Sequence, residues 1–282
     1  MCEVGAIEEL WRYPVKSMLG ERVARATVDE RGVPGDRRLA LIDRESGKVA
    51  SAKMPRLWRD LLKCVAVMED GAGVRIALPG AKPLWSTDAD ADERLSAYIG
   101  RPVHLADTPP ENATLDRSIP DAVLSAGVAA EVEAKVIHIG SDDAPETFVD
   151  FAPLHLITTS TLDRIAELGP RGAIEVQRYR PNLVIRTAAT AHGFVENDWL
   201  GREVRIGADL RLKIIASTPR CAVPTLEHGT LRKDPMALRT VALHNRIAPL
   251  ADVAPEPCAG AYAQVMAPGR IGPGDKVLVA VN

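Results

Sequence analysis

The stretch V-R-I-G-A-D-L-R-L-K-I, residues 204–214, alternates apolar and charged side chains on either side of Gly207-Ala208-Asp209. Successive side chains of a strand point to opposite faces. Val204 and Ile206, then Leu210, Leu212 and Ile214, therefore predict a hairpin with one buried face. Arg202, Arg205, Arg211 and Lys213 are expected on solvated strand faces. Upstream, Leu154-His155-Leu156-Ile157 and Leu183-Val184-Ile185 read as strands. The helix predicted between them starts in a capping-box-like Ser160-Thr161-Leu162-Asp163. It buries Leu162, Ile165 and Ala166 and stops at Gly169-Pro170. Downstream, Asp234-Pro235 opens a helix through about Asn245, with Leu238, Val241 and Ala242 inward. Ala261 to Met266 and Lys276 to Val281 predict closing strands.

Toward the N-terminus, Ile7, Trp11 and Tyr13 share a parity and are expected to face one way, up to Pro14. Arg38 to Asp43 is a short apolar run closed by a turn, and Val74, Ile76 and Leu78 alternate as a half-buried strand does. A helix is predicted from about Asp90 to Ile99, stopped by Gly100 and Pro102. Residues 1–105 thus read as a small β-rich domain, and 106–282 as a second one. Residues 106–150 of the latter are weakly periodic and connecting in character.

The chain has 282 residues, of which 46% are hydrophobic and 26% charged, a composition that builds an ordinary globular core. A net charge of -3 argues against nucleic-acid binding, which needs a surplus of Lys and Arg. No run of about 18 uncharged apolar residues predicts a membrane span. The start M-C-E-V-G-A-I-E-E-L carries acids where a signal peptide carries base, so a cytoplasmic location is expected. Cys2, Cys64, Cys221 and Cys258 are scattered without a C-x-x-C pair, which suits reduced thiols better than a disulfide framework or a zinc site.

Three tracts carry chemistry. Ser217-Thr218-Pro219-Arg220-Cys221 follows a strand and sets a cysteine beside a guanidinium that favours the thiolate, a nucleophile and soft metal ligand. The competing reading of Cys221 is a small buried hydrophobe. Arg178-Tyr179-Arg180-Pro181-Asn182 sets two guanidiniums and an amide at the mouth of a strand, where arginine can grip a phosphate bidentately or simply face water. Tyr13-Pro14-Val15-Lys16-Ser17 turns the chain and leaves Lys16 and Ser17 to meet an anion, or to lie on the surface. By contrast, Cys64 lies in the apolar run Leu61 to Val67, read as a buried strand, and Cys258 in a Pro-rich loop. Neither has an arginine neighbour like Arg220.

Y-P-V-K-S at Tyr13, G-D-R-R at Gly35, R-Y-R-P-N at Arg178, D-W-L at Asp198, P-R-C at Pro219 and G-D-K-V at Gly274 occur in one order. Together they resemble the molybdenum cofactor sulfurase C-terminal (MOSC) domain proteins with their N-terminal β domain. That family includes the mitochondrial amidoxime-reducing component and its bacterial counterparts. The resemblance covers nearly the whole chain. It implies a β-rich α+β fold in which an N-terminal β domain and a β-barrel-like MOSC domain with a few helices share a cofactor cleft. It also implies a pterin dithiolene holding molybdenum, with Cys221 completing the sulfur ligands. Lys16, Ser17, Arg37, Arg180 and Asn182 are then expected around the pterin and its phosphate, Thr218 and Arg220 beside the metal ligand, and Asp150 facing the pocket.

The activity implied is two-electron, two-proton reduction of N-hydroxylated compounds such as amidoximes and hydroxylamines, releasing water. The plant-type iron–sulfur spacing C-x₄-C-x₂-C of some bacterial relatives is missing, so a separate electron donor is expected, a flavoprotein with a small heme or iron–sulfur carrier. His155 is the nearest motif-associated proton donor, against the plainer reading of a core histidine. The alternatives are a non-catalytic carrier of the cofactor and a sulfur-transfer protein. The latter is disfavoured because no length remains for a pyridoxal-phosphate domain, and pyridoxal phosphate is not expected.

Overall fold

The computed structural model describes residues 1–69, 71, 73–140 and 146–281. Seven strands of its nine-stranded larger sheet form the barrel: β1 (Cys2–Arg12), β2 (Leu154–Thr158), β3 (Leu183–Thr187), β4 (Glu203–Ile206), β5 (Leu210–Pro219), β6 (Glu256–Ala267) and β7 (Lys276–Val279). They pair in the order β2-β3-β1-β7-β4-β5-β6, and β6 pairs back onto β2, closing a barrel. Closure pairs each of these seven strands on both sides. Only β2 and β3 run parallel, and the crossover this demands contains the helix Thr159–Leu168. The predicted hairpin is β4–β5: Ile206 pairs with Leu210 and Val204 with Leu212. Its five apolar side chains pack in the barrel core against Leu154, Leu156, Leu183 and Ile185.

β1 completes the barrel, lying between β3 and β7. The single apolar face expected along it is broken by a bulge between Ile7 and Glu9. An extra residue flips the parity that follows. Ile7 and Leu10 enter the barrel core, while Trp11 and Tyr13 pack elsewhere, with Ile157, Ile165, Tyr179 and Val184. Gly5 allows the close approach of β3: a Cβ there would stand 1.9 Å from the Arg186 carbonyl oxygen.

Beyond β1 the chain builds a second core from Val15, Met18, Leu41, Trp58, Leu61, Ile76 and Leu95 among others. It is framed by the three-stranded sheet Val65–Glu69, Gly73–Ala77 and Leu84–Trp85, the pair Ala40–Asp43 with Val103–Ala106, and the helix Ala91–Ile99. The weakly periodic middle holds the ribbon Thr114–Ser118 with Ala134–His138, and the helix Pro120–Ala126 between its strands. The outer strand of that ribbon is largely solvated and has no alternation to display. With five α-helices among the described residues, the fold is β-rich α+β. None of these helices is long and apolar enough to cross a membrane.

Three local expectations change. The helix after β2 is capped by Thr158, whose hydroxyl accepts from the Thr161 N–H, two residues earlier than the capping-box reading. Leu61 to Val67 is not one strand: a 3₁₀ turn, Arg59–Lys63, ends at the buried Cys64 before a strand begins at Val65. Cys258 lies in β6 rather than a loop, because Pro257, the second residue of the strand, keeps its pairing with Arg246.

Candidate functional site

Strand registers bring one set of ends together. Leu10 of β1 pairs with Leu183, Leu183 with Leu156, His155 with Tyr262, and Ser217 with Ala261. The loops after β1 and β5, and those before β2 and β3, therefore meet at one rim. Between that rim and the N-terminal part lies a cavity of about 360 Å³. It is lined by six cationic side chains, Lys16, Arg37, Lys53, Arg117, Arg180 and Arg220, against three carboxylates, Asp36, Asp150 and Glu256. That cationic excess sits in a chain whose net charge is -3. The one thiol in the lining is Cys221.

Lys16 is buried and donates to the Phe148 carbonyl at 2.6 Å and to Asp150 at 2.7 Å. The other Asp150 oxygen takes Lys53 at 3.0 Å. Burial lowers Lys16 to about 8, helped by the neighbouring charges of Lys53 and Arg37 and opposed by Asp150. Asp150 is held far below the usual carboxylate range because the two ammoniums outweigh its desolvation.

Arg37 and Arg180 both lie over the Tyr13 ring, 4.5 and 4.4 Å from its centroid. Arg37 pairs with Asp36 and donates to the Arg180 carbonyl, and Arg180 donates to the Met18 carbonyl. Burial beside Arg37 lowers Arg180 to about 10. Ser17, Arg37 and Arg180 have φ of 64°, 45° and 54°, three of the four non-glycine residues with positive φ among those described. Such backbone is costly and collects where a loop is held for a purpose.

The remaining motif residues divide by role. Asn182 lines the cavity, but its side chain stitches strands together: its oxygen accepts from the His155 N–H and its amide donates to the Trp11 carbonyl. Arg178 is buried away from the cavity, paired with Glu175 and donating to the carbonyls of Pro224, Leu226 and Arg232. It anchors the loop that follows Cys221, so only one of the two guanidiniums in that tract faces the cavity. Thr218 is buried outside the lining, with Ser217 and Pro219 facing in on either side of it.

Arg220 donates to the Tyr179 carbonyl at 2.8 Å, and its other terminal nitrogen lies 3.5 Å from His155 Nε2. Its Nε is buried without a partner. An arginine can only donate, so Nε2 of His155 is the acceptor and Nδ1 carries the hydrogen, facing the Arg180 carbonyl at 3.4 Å. Burial and Arg220 hold His155 well below its ordinary value, and it is neutral. Gly260 makes room for this ring: a Cβ there would stand 2.5 Å from Nε2.

Lys53, Arg117, Glu256 and Tyr262 escaped sequence reasoning. Each belongs to no motif, and Lys53 and Arg117 reach the site from the N-terminal part and the middle ribbon. Burial acts against both cations, but Asp150, Tyr262 and Cys221 hold Lys53 above its ordinary value, as Cys221 and Glu256 do Arg117. Cys221 thus has cations beside it that are remote in sequence, while the two terminal nitrogens of Arg220 are directed at Tyr179 and His155. Arg117 also bonds Glu256 at 2.7 Å. Cys64 and Cys258 differ: burial pushes each thiol up to about 12.

A closed barrel with a β-rich unit on its rim, and a cationic cavity holding one cysteine between them, defines a class. The chain is a MOSC-domain protein, matching the MOSC domain over residues 143–278 and the MOSC N-terminal beta barrel domain over residues 4–99. It is 25% identical over 257 residues to mitochondrial amidoxime reducing component 2 of Rattus norvegicus, covering 83% of this chain and 71% of that protein. In three dimensions it is similar to the YuaD protein of Bacillus subtilis, with a TM-score of 0.46 and 11% identity over 98% of this chain and 95% of that one. YiiM of Geobacillus stearothermophilus aligns with 46% of this chain and 55% of its own, with a TM-score of 0.33 and 14% identity.

Proposed function

We propose that this chain binds a molybdenum cofactor in the cavity, with Cys221 as the protein's ligand to the metal, and reduces N-hydroxylated compounds such as amidoximes and hydroxylamines. The observation that carries this reading is one thiol and six cationic side chains converging on one cavity. A phosphate-bearing pterin needs the cations, since guanidiniums match phosphate bidentately, and a sulfur-loving metal needs the soft thiolate. Among the described residues no group of three or more His, Cys, Asp or Glu could hold a metal ion. A metal bound here through one protein sulfur therefore arrives with its other ligands, as a dithiolene-held metal does. The buried, unpartnered Arg220 Nε is a donor free for such a guest.

When bound, the cofactor supplies a two-electron redox centre. The protein supplies binding, orientation and electrostatics. Arg37, Arg180 and Lys16 hold the phosphate, and Cys221 holds the metal. His155, neutral and with Nε2 accepting from Arg220, orients that arginine rather than donating a proton. The similarity to an amidoxime reducing component favours reduction over storage, with electrons from a separate flavoprotein and a small heme or iron–sulfur carrier.

The test is metal and pterin analysis of protein purified from a molybdenum-replete host, followed by turnover of benzamidoxime with a chemical reductant. About one molybdenum per chain and consumption of the amidoxime are expected. Loaded protein that consumes no N-hydroxylated compound is a carrier, and protein that takes up no molybdenum under these conditions overturns the reading.

A further inference from the structure

The cavity changes character along its depth. Its floor is charged, but its lining also includes Phe151, Leu250 and Val253. Phe151 is 43% exposed and Val253 38%, so both stand at the mouth. Large apolar side chains left in water around a cavity mark a place where an apolar ligand sits. The Phe151 ring packs against Tyr262 with centroids 5.5 Å apart and planes tilted by 50°, and Tyr262 meets the His155 ring at 5.8 Å. These three rings run from the exposed mouth to the buried histidine that touches Arg220.

Phe151 is also held in place. It follows Asp150, which two ammoniums fix, and it stands between the buried Phe148 and Ala152. The Phe148 N–H donates to the Arg37 carbonyl at 2.7 Å. An exposed aromatic on backbone this constrained pays little ordering entropy on binding a flat partner.

Resting on the reductase reading above, we infer that Phe151, backed by Tyr262 and flanked by Leu250 and Val253, receives the planar apolar body of the substrate. The preferred substrates are N-hydroxylated compounds that carry an aryl group, and Phe151 sets that preference.

The experiment compares benzamidoxime with acetamidoxime, which carry the same reacting group on a phenyl ring and on a methyl group. Dissociation constants are measured on the cofactor-loaded protein without an electron donor, and kcat/KM with a chemical reductant. Phe151→Ala should weaken benzamidoxime about tenfold in both measures, the size of a lost aromatic contact, and change acetamidoxime less than about twofold. Phe151→Trp should keep the aryl preference, and an unchanged thermal midpoint in both variants shows that the fold is intact. Equal effects on the two compounds, or none on benzamidoxime, overturn the inference. If both compounds bind with the expected difference but neither is reduced, the aryl subsite stands and the reductase reading falls.

Discussion

Cys221 and Cys64 are both buried thiols, yet they differ in what surrounds them. Cys221 shares the cavity lining with Lys53 and Arg117, whereas Cys64 lies in an apolar core with Leu61, Ala66 and Leu95. Serine keeps nearly the size of cysteine but offers a hard oxygen for a soft sulfur. Cys221→Ser should abolish turnover per bound molybdenum with little change in stability. Cys64→Ser should do the opposite, losing about 1–3 kcal/mol by burying a hydroxyl while sparing turnover. Denaturant unfolding and metal-normalised rates on both variants check this, and parental turnover in Cys221→Ser would remove the ligand assignment. Residue identity was the most legible level in the sequence, because the P-R-C and Y-P-V-K-S tracts carry their chemistry in adjacent letters. Lys53 and Arg117 carry theirs only through neighbours about 170 and 100 positions away in the chain.

Elements depend on contacts that local patterns do not contain. The helix after β2 begins where Thr158, still in the strand, accepts from Thr161, so strand and helix share a boundary residue. Thr158→Ala should cost about 1 kcal/mol, the usual value of an N-cap. Gly5→Ala should cost more, roughly 3 kcal/mol, because β1 and β3 would have to separate against a 1.9 Å clash with backbone. Thermal unfolding of both variants ranks them, and a Gly5→Ala protein as stable as its parent would mean that β1 does not pair as described. The alternation of the β4–β5 hairpin was readable because one face is buried along its whole length. The β1 bulge was not, since one extra residue leaves no signature when apolar side chains lie on both sides of it.

At the scale of the whole molecule, two buried histidines couple the fold to pH. His228 is lowered to about 4 by burial, with its Nδ1 toward the Leu226 carbonyl and Nε2 unpartnered, and His155 is lowered too. The unfolded chain takes up these protons near 6.5 and the folded chain does not, so the unfolded state binds more protons between about pH 6.5 and 4. Stability is then fully present above pH 6.5 and falls as the pH drops through that window. At pH 5 the share of His228 amounts to about 2 kcal/mol, from a shift of this size. His228→Asn, which keeps a donor toward Leu226, should remove that part of the decline between pH 7.5 and 5 in denaturant titrations. An unchanged slope would assign the decline to other groups.

What the sequence by itself determined is local. The alternation at 204–214 sets a hairpin, the stop at Gly100 ends a helix, and the ordered motifs mark the family and single out Cys221, which lies in the cavity lining. These depend on neighbours a few residues apart, whose chemistry is written consecutively. Only the tertiary structure decided that β6 pairs back onto β2 to close the barrel, that Arg178 props a loop while Arg180 enters the cavity, and that Thr218 turns away. It also decided which cations stand beside Cys221. The physical reason is that closing a barrel and filling a cavity are settled by packing between segments distant in the chain. A single bulge or a two-residue step then reverses which side chains face the site.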